Sequence, residues 1–139
     1  MQAEVLVDTK DLTHEEWLEY RRKGIGGSDA AAVLGLGEWK SKRLVWAEKT
    51  GILGSEKDND AMRIGRDLED YVADRFVELR SKDIRKEVKV WNVNQILQHP
   101  EHKFMLANLD RRVVGESALL ECKTTVDWNN NWKVDSFPE

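Results

Sequence analysis

The sequence predicts an α/β (α+β) fold in which helices pack on a central mixed sheet. Three observations predict it. Helix signals dominate residues 13–79, strand signals dominate residues 88–124, and one long amphipathic repeat, Met62 to Leu79, joins the two regions. With 139 residues the chain is long enough for one domain with a real core. The expected organisation is a single domain over 1–139, with an N-terminal helical part (1–60) and a part holding the long helix and the strands (61–139).

The elements follow in order. Thr13-His14-Glu15-Glu16 has the form of a capping box, and Trp17, Leu18 and Tyr20 supply part of an apolar stripe behind it. Gly24-Ile25-Gly26-Gly27 breaks that helix. Ser28-Asp29 is suited to cap a second, through Ala30 to Leu34, which Gly35 stops. Leu44 to Lys49 reads as a third short helix ended by Gly51, and the polar stretch 54–60 as a loop. In the long helix Ile64, Leu68, Val72 and Phe76 recur every four residues, with Tyr71 and Leu79 widening the stripe. Three strands are expected: Val88 to Val93, Phe104 to Leu109 and Ala118 to Thr124. The second is so continuously apolar that it reads as covered on both faces. Trp128 to Glu139 shows no clear element.

Composition removes several function classes. Hydrophobic residues make up 40% and charged residues 35%, a globular balance. No apolar run reaches membrane-span length and no signal peptide pattern opens the chain, so no membrane partner is expected. Cys122 is the single cysteine, which excludes an internal disulfide and fits a reducing cytoplasm. Three scattered histidines do not make a zinc site. A net charge of −4 argues against a generic nucleic-acid coat protein but not against a nuclease, whose carboxylates are offset by a cation.

Chemistry concentrates on the last two strands. Gly115-Glu116 suits a two-residue hairpin turn of type II′, which pairs Val113 with Ala118, Arg112 with Leu119, Arg111 with Leu120 and Asp110 with Glu121. Two acids then face each other with Cβ atoms about 5 Å apart, a repulsive arrangement that a hard cation such as Mg²⁺ or Mn²⁺ relieves. Lys123 lies on the face of Glu121, while Leu120 and Cys122 point toward packing. The form is Asp-x(n)-Glu-x-Lys. Glu69 adds a third carboxylate at the margin of the helical stripe, between Gly65 and Ala73, both small enough for close approach. On these residues alone two readings stand: a metal site, or a surface hairpin whose acids are neutralised by Lys123 and Arg112, beside a solvated Glu69. Likewise Arg21-Arg22-Lys23-Gly24-Ile25-Gly26-Gly27-Ser28 reads either as a phosphate site at a helix N-terminus or as a glycine turn with a serine cap.

Several motifs in fixed order resemble a known family. Gly24-Ile25-Gly26-Gly27-Ser28-Asp29-Ala30-Ala31-Ala32-Val33-Leu34-Gly35 is similar to the opening signature of the YqaJ-like viral recombinases, relatives of lambda exonuclease within the PD-(D/E)xK nucleases. Leu44 to Gly51, Gly65-Arg66-Asp67-Leu68-Glu69, His99-Pro100-Glu101-His102, Ala107-Asn108-Leu109-Asp110 and Leu120-Glu121-Cys122-Lys123-Thr124-Thr125 continue it over roughly residues 12–138. The resemblance implies a restriction-endonuclease-like core and Mg²⁺- or Mn²⁺-dependent hydrolysis of DNA. It implies metal ligation by Asp110, Glu121 and the Cys122 carbonyl, with Glu69 supporting a second ion or its waters. It implies a water-positioning role for Lys123 and a 5′-phosphate pocket of Arg21 and Ser28. It further implies duplex DNA ends as substrate, 5′→3′ exonuclease action, a strand-annealing recombinase as partner, a trimer as oligomer, and a bacterial or phage-infected cytoplasm. Structure-specific endonuclease action and inactive DNA-end binding are the alternatives. Family chains run on past Pro138-Glu139 into a further helix and strand, so the C-terminal part of the fold is expected to be truncated.

Overall fold

A computed structural model describes residues 2–37, 40–54 and 59–125. Its elements are β1 (Glu4–Asp8), α1 (His14–Arg22), α2 (Gly27–Leu34), α3 (Lys42–Lys49), α4 (Asp60–Ile84), β2 (Val90–Asn92), β3 (Gln95–Gln98), β4 (Leu106–Asn108), β5 (Arg111–Val113) and β6 (Leu119–Leu120). The α/β class is as expected, with β1 and β3 additional to the strands foreseen. The sequence reading of 128–139 and most of the loop reading of 54–60 lie outside the described residues.

Local chemistry explains the helix boundaries. The Thr13 hydroxyl accepts from Glu16 N (3.3 Å) and the Glu16 carboxylate accepts from Thr13 N (2.8 Å), a complete capping box. Neither Ser28 nor Asp29 occupies the cap of α2, contrary to expectation. The cap is Gly26, and Asp29, three residues inside, reaches back to Gly26 N (3.1 Å). This leaves the Ser28 hydroxyl free for another partner. Gly35 closes α2 at φ 80°, a conformation that glycine adopts without Cβ strain. Asn59 caps α4, which runs to Ile84, five residues past the end of the apolar repeat.

The strands form two three-stranded antiparallel sheets, β1-β3-β4 and β2-β5-β6. Together they amount to one long hairpin with a bend. β2 and β3 run along one arm and β4 and β5 along the other. Val90 pairs with Val113 and Asn92 with Arg111, but Ile96 pairs with Asn108 and Gln98 with Leu106, a slip of one residue between the halves. The extra residue lies in Val93–Gln95, where Gln95 N donates to Val93 O (2.8 Å) and Val93 N donates to Asp110 O (3.1 Å). A bulge of this kind bends a ladder and re-aims the side chains beside it; here the neighbour is Asp110. Among the described residues the parallel pairing expected of a mixed sheet is confined to a single bridge, Ile25 to Met105.

Among the described residues the core is small: Ile96 is fully buried, and Ala32, Val45, Ala47, Ala73, Val88, Leu106 and Val113 are nearly so. The second expected strand is covered less than foreseen, since Phe104 and Met105 stay exposed. The α4 stripe is also rotated from expectation. Ile64, Leu68, Tyr71 and Leu79 are exposed, while Gly65, Glu69, Val72, Ala73 and Phe76 turn inward. The small residues explain the rotation, because a Cβ on Gly65 would lie 3.4 Å from the Thr124 hydroxyl beyond β6.

Candidate active site

The predicted hairpin register holds: Arg111 pairs with Leu120 and Arg112 with Leu119, which puts Asp110 and Glu121 opposite each other one residue beyond. The turn itself differs. Glu116 N approaches Val113 O (3.5 Å) and Gly115 takes φ 79°, so the glycine is the third residue of a turn from Val113, not the first central residue of a type II′ turn. Val113 N still bonds Ala118 O (3.1 Å), and this pair preserves the register.

Beyond the paired residues Asp110 Oδ2 accepts from Cys122 N at 2.6 Å. The carboxylate therefore replaces a ladder carbonyl and ties the two strand ends together. Glu121 and Lys123 share the outer face as alternation requires, and Lys123 Nζ donates to Glu121 Oε1 (2.5 Å). Glu69 is approached from α4, but its partner is Arg111. Arg111 is only 4% exposed, and its guanidinium bonds Glu69 Oε1, Asp70 Oδ1 (2.6 Å) and Asp110 O (2.9 Å). Burial disfavours its charge, yet the bonds and charges of Glu69 and Asp70 outweigh burial and raise its pKa.

The structure thus joins Asp110 to the strand carrying Glu121 and Lys123, and joins Glu69 to Asp110 through Arg111. Among the described residues no three acids, histidines or cysteines converge closely enough to hold a metal by themselves. The donor chemistry nevertheless suits a hard divalent cation, which takes one or two carboxylates and completes its shell with water. Cys122 reports the local field. Burial pushes its thiol up, Asp110 pushes it further, Arg111 opposes, and Glu69 and Glu121 add to the rise. Three carboxylates therefore act on one point. Arg112, offered as a neutralising cation, instead faces outward between Trp91 and Leu119. Arg111 was missed. Its signal was alternation, which places it on the inner face with Val113 and Leu120.

The second half of the site lies at the start of α2. Arg21 Nη2 donates to the Ser28 hydroxyl at 2.7 Å, and the guanidinium lies 4.6 Å from the Trp17 ring centroid. Arg21 and Ser28, which the resemblance pairs, are therefore in direct contact. Beneath them Asp29, 3% exposed, accepts from Lys49 Nζ (2.7 Å), which also donates to Arg21 O (2.8 Å). Lys40 stands 3.6 Å from Asp29 and pairs with Glu48. Burial works against the Asp29 charge, but Lys49, the Gly26 N–H and Lys40 outweigh it and hold the carboxyl below its usual range. Gly24 fixes this assembly to the sheet. Ile25 N donates to Phe104 O (2.7 Å), Leu106 N donates to Ile25 O (2.9 Å), and a Cβ on Gly24 would lie 2.5 Å from Phe104 O. Only glycine permits that approach. The strand that receives it, β4, runs directly into Asp110.

Residues 16–138 match the YqaJ-like viral recombinase domain. The chain belongs to the YqaJ-like viral recombinase family. It is 47% identical over 139 residues to the uncharacterised protein YqaJ of Bacillus subtilis (strain 168), a match covering 99% of this chain and 42% of that protein. The chain therefore spans less than half the length of this YqaJ relative. Its fold is similar to the crystal structure of an alkaline exonuclease, LHK-Exo, from Laribacter hongkongensis. The TM-score is 0.54 at 24% identity, over 73% of this chain and 48% of that one. No helix among the described residues of this YqaJ-like chain is long and apolar enough to cross a membrane.

Proposed function

We propose that the chain is the catalytic part of a Mg²⁺- or Mn²⁺-dependent DNA exonuclease of phage type, which degrades one strand of a duplex from a 5′-phosphorylated end during recombination. The observation that carries this reading is the physical link between its two halves. The Arg21–Ser28 pair is docked through Ile25 onto β4. From the Met105 bridge the chain reaches Asp110 through β4 in five residues, at most about 17 Å at roughly 3.3 Å per residue. A terminal phosphate and a scissile phosphate then rest on one rigid frame.

Each residue has a role that its surroundings suit. Arg21 offers a planar cation and Ser28 a hydroxyl, at the start of a helix in which the Gly27 and Ser28 N–H groups precede the first intrahelical bond, from Asp29 N to Gly26 O (3.0 Å). These groups hold a 5′-phosphate. Asp110 and Glu121, with the Cys122 carbonyl, would hold the cation, and Glu69 would support a second ion or its waters. A divalent cation bound there supplies Lewis acidity for the scissile phosphate and makes water a nucleophile near neutral pH. Lys123, on the face of Glu121, would orient the attacking water and offset charge developing on the phosphate. Duplex ends are the substrate, a strand-annealing recombinase the partner, a ring-shaped homo-oligomer the assembly, and the cytoplasm of a bacterium or phage-infected cell the location.

The test is digestion of a linear duplex in Mg²⁺, with 5′-phosphate and 5′-hydroxyl ends compared and a nicked circle as control. Loss of linear duplex that is faster from phosphorylated ends, and abolished by Asp110→Ala, is expected. Cleavage of the circle as fast as the linear duplex overturns the exonuclease reading in favour of an endonuclease. A second reading, DNA-end binding without hydrolysis, is favoured by the lack of three converging acids among the described residues. End-dependent binding in Mg²⁺ with no digestion establishes it.

A further inference from the structure

The pocket at the start of α2 stands on a carboxylate. Asp29 follows Ser28 in sequence, takes the Gly26 N–H, and is almost fully buried. An unneutralised negative charge at that position repels a phosphate held by Ser28 and Arg21, and burial makes the repulsion stronger than it is in water. The chain places Lys49 against it at 2.7 Å, from the last turn of α3. The same ammonium bonds the Arg21 carbonyl at 2.8 Å, so it also fixes the end of α1 that carries the phosphate-facing guanidinium. Lys40 and Glu48 pair with each other beside it. Asp29, Lys49, Lys40 and Glu48 thus form a base of zero net charge. Arg21, whose guanidinium contacts the Ser28 hydroxyl and the Trp17 ring, is left as the cation facing outward.

We infer that Lys49 is a positioning residue of the phosphate pocket, which neutralises Asp29 and anchors the Arg21 backbone so that the pocket prefers a 5′-phosphate. This rests on the proposed function and assigns the preference to a charge balance beneath the contacting groups. The Asp29 side chain accepts from the N–H of the Gly26 cap, which the amide oxygen of an asparagine also does, so its charge is not needed for the helix start. The inference therefore makes opposite demands on two neighbouring residues.

The experiment measures the ratio of kcat/KM on a duplex with 5′-phosphate to that with 5′-hydroxyl, in Mg²⁺, for the whole protein. Lys49→Met lowers the ratio roughly tenfold, the size of one lost charge-assisted hydrogen bond. Asp29→Asn leaves it at or above the wild-type value, because a negative charge is gone and the cap remains. The double variant Asp29→Asn, Lys49→Met recovers most of what Lys49→Met loses. A merely structural role for the pair predicts the reverse, with Asp29→Asn lowering the ratio and the double variant no better than Lys49→Met. Either result overturns the inference, as does a wild-type ratio in Lys49→Met. If Lys49→Met does not fold, as circular dichroism shows, the sign of the Asp29→Asn effect decides alone. Arg21→Ala and Ser28→Ala are measured alongside. If they keep the wild-type ratio, the pocket reading itself fails; if they lose it while Lys49→Met keeps it, only the charge-balance inference fails.

Discussion

At the start of α2 the groups argued to grip a phosphate already touch each other, whereas beyond β5 and β6 each acid argued to serve a metal is turned to a different partner. Arg21 meets Ser28 at 2.7 Å over a buried, balanced base. Glu69 meets Arg111, Glu121 meets Lys123, and Asp110 meets the Cys122 N–H. The difference follows from charge. Donors to a phosphate are hydroxyls, N–H groups and one cation, and these can be assembled at little electrostatic cost. Carboxylates brought together repel, so they draw in whatever cations the chain supplies. A cation held by Asp110 and Glu121, as proposed, would compete with Lys123 for Glu121 in the field of Arg111. The groups of the proposed phosphate pocket are thus already assembled, whereas the acids of the proposed metal site are each paired elsewhere.

The largest expected effect breaks the acid side. If Lys123 only balances Glu121, Lys123→Arg keeps a cation and leaves hydrolysis nearly intact. If it orients a water, the broad guanidinium fork does not replace a compact ammonium. Lys123→Arg and Lys123→Ala then each lower kcat by roughly 10²-fold or more, as loss of a transition-state contact does. DNA binding in Ca²⁺ changes little in either variant. Near-normal turnover by Lys123→Arg reduces the lysine to a counter-charge.

Arg111 comes next, and its effect is on stability. Removing one partner of a buried pair leaves the other uncompensated. Because Glu69 is partly exposed, Arg111→Met is expected to cost about 2–3 kcal/mol, somewhat under the usual range for fully buried pairs. Asp70 is much more exposed, so Asp70→Asn should cost under about 1 kcal/mol. Urea unfolding of the two variants measures the contrast, and equal losses would show that Glu69 is not the partner that matters.

Arg111 also marks where the sequence became illegible. The capping box at Thr13, the stop at Gly35 and the hairpin register could be read because each depends on residues close in the chain. The partners of Arg111 lie 41 and 42 residues away on α4. Finding them requires the rotation of α4 against the sheet, which Gly65 and Ala73 set and which hydrophobic spacing pointed away from. β1 and β3 were missed for a related reason. β1 pairs with β3, 4–8 against 95–98, and no local turn announces the pairing. The bulge at Val93–Gln95, which brings Asp110 to the bend, is a property of two strands together. Ser28 was read as a cap because serine favours that position, but Asp29 capped from inside the helix and released it.

Acid titration sharpens the pocket side with a smaller effect. Asp29 is held below its usual pKa in the folded protein, so the unfolded chain takes up its proton first as pH falls. Its contribution to stability is therefore full above the ordinary carboxylate pKa, about 4. It is lost as pH falls from there through the lowered folded value. Thermal unfolding followed from pH 6 down to pH 2 (about this range) should show a shallower acid decline in Asp29→Asn than in wild type. An identical slope would mean that other carboxylates govern acid unfolding and that the Lys49 contact contributes little.

The smallest expected effect concerns Trp17. Its ring lies 4.6 Å from the Arg21 guanidinium, four residues on along α1 and therefore on the same face. Stacking of this kind at a partly exposed site contributes about 0.5–1 kcal/mol. It holds the guanidinium over Ser28 without neutralising it, which an acidic partner could not do. Trp17→Leu keeps an apolar side chain but removes the π face, so Arg21 samples more orientations. The preference for 5′-phosphate over 5′-hydroxyl ends should fall by roughly two- to fivefold, the range that this energy corresponds to. Trp17→Phe should fall less, because a smaller ring still presents a face to the cation. The order tryptophan, phenylalanine, leucine is the signature of a cation held by a ring. Equal losses in Phe and Leu would assign Trp17 to packing of α1 and leave Ser28 alone to orient Arg21.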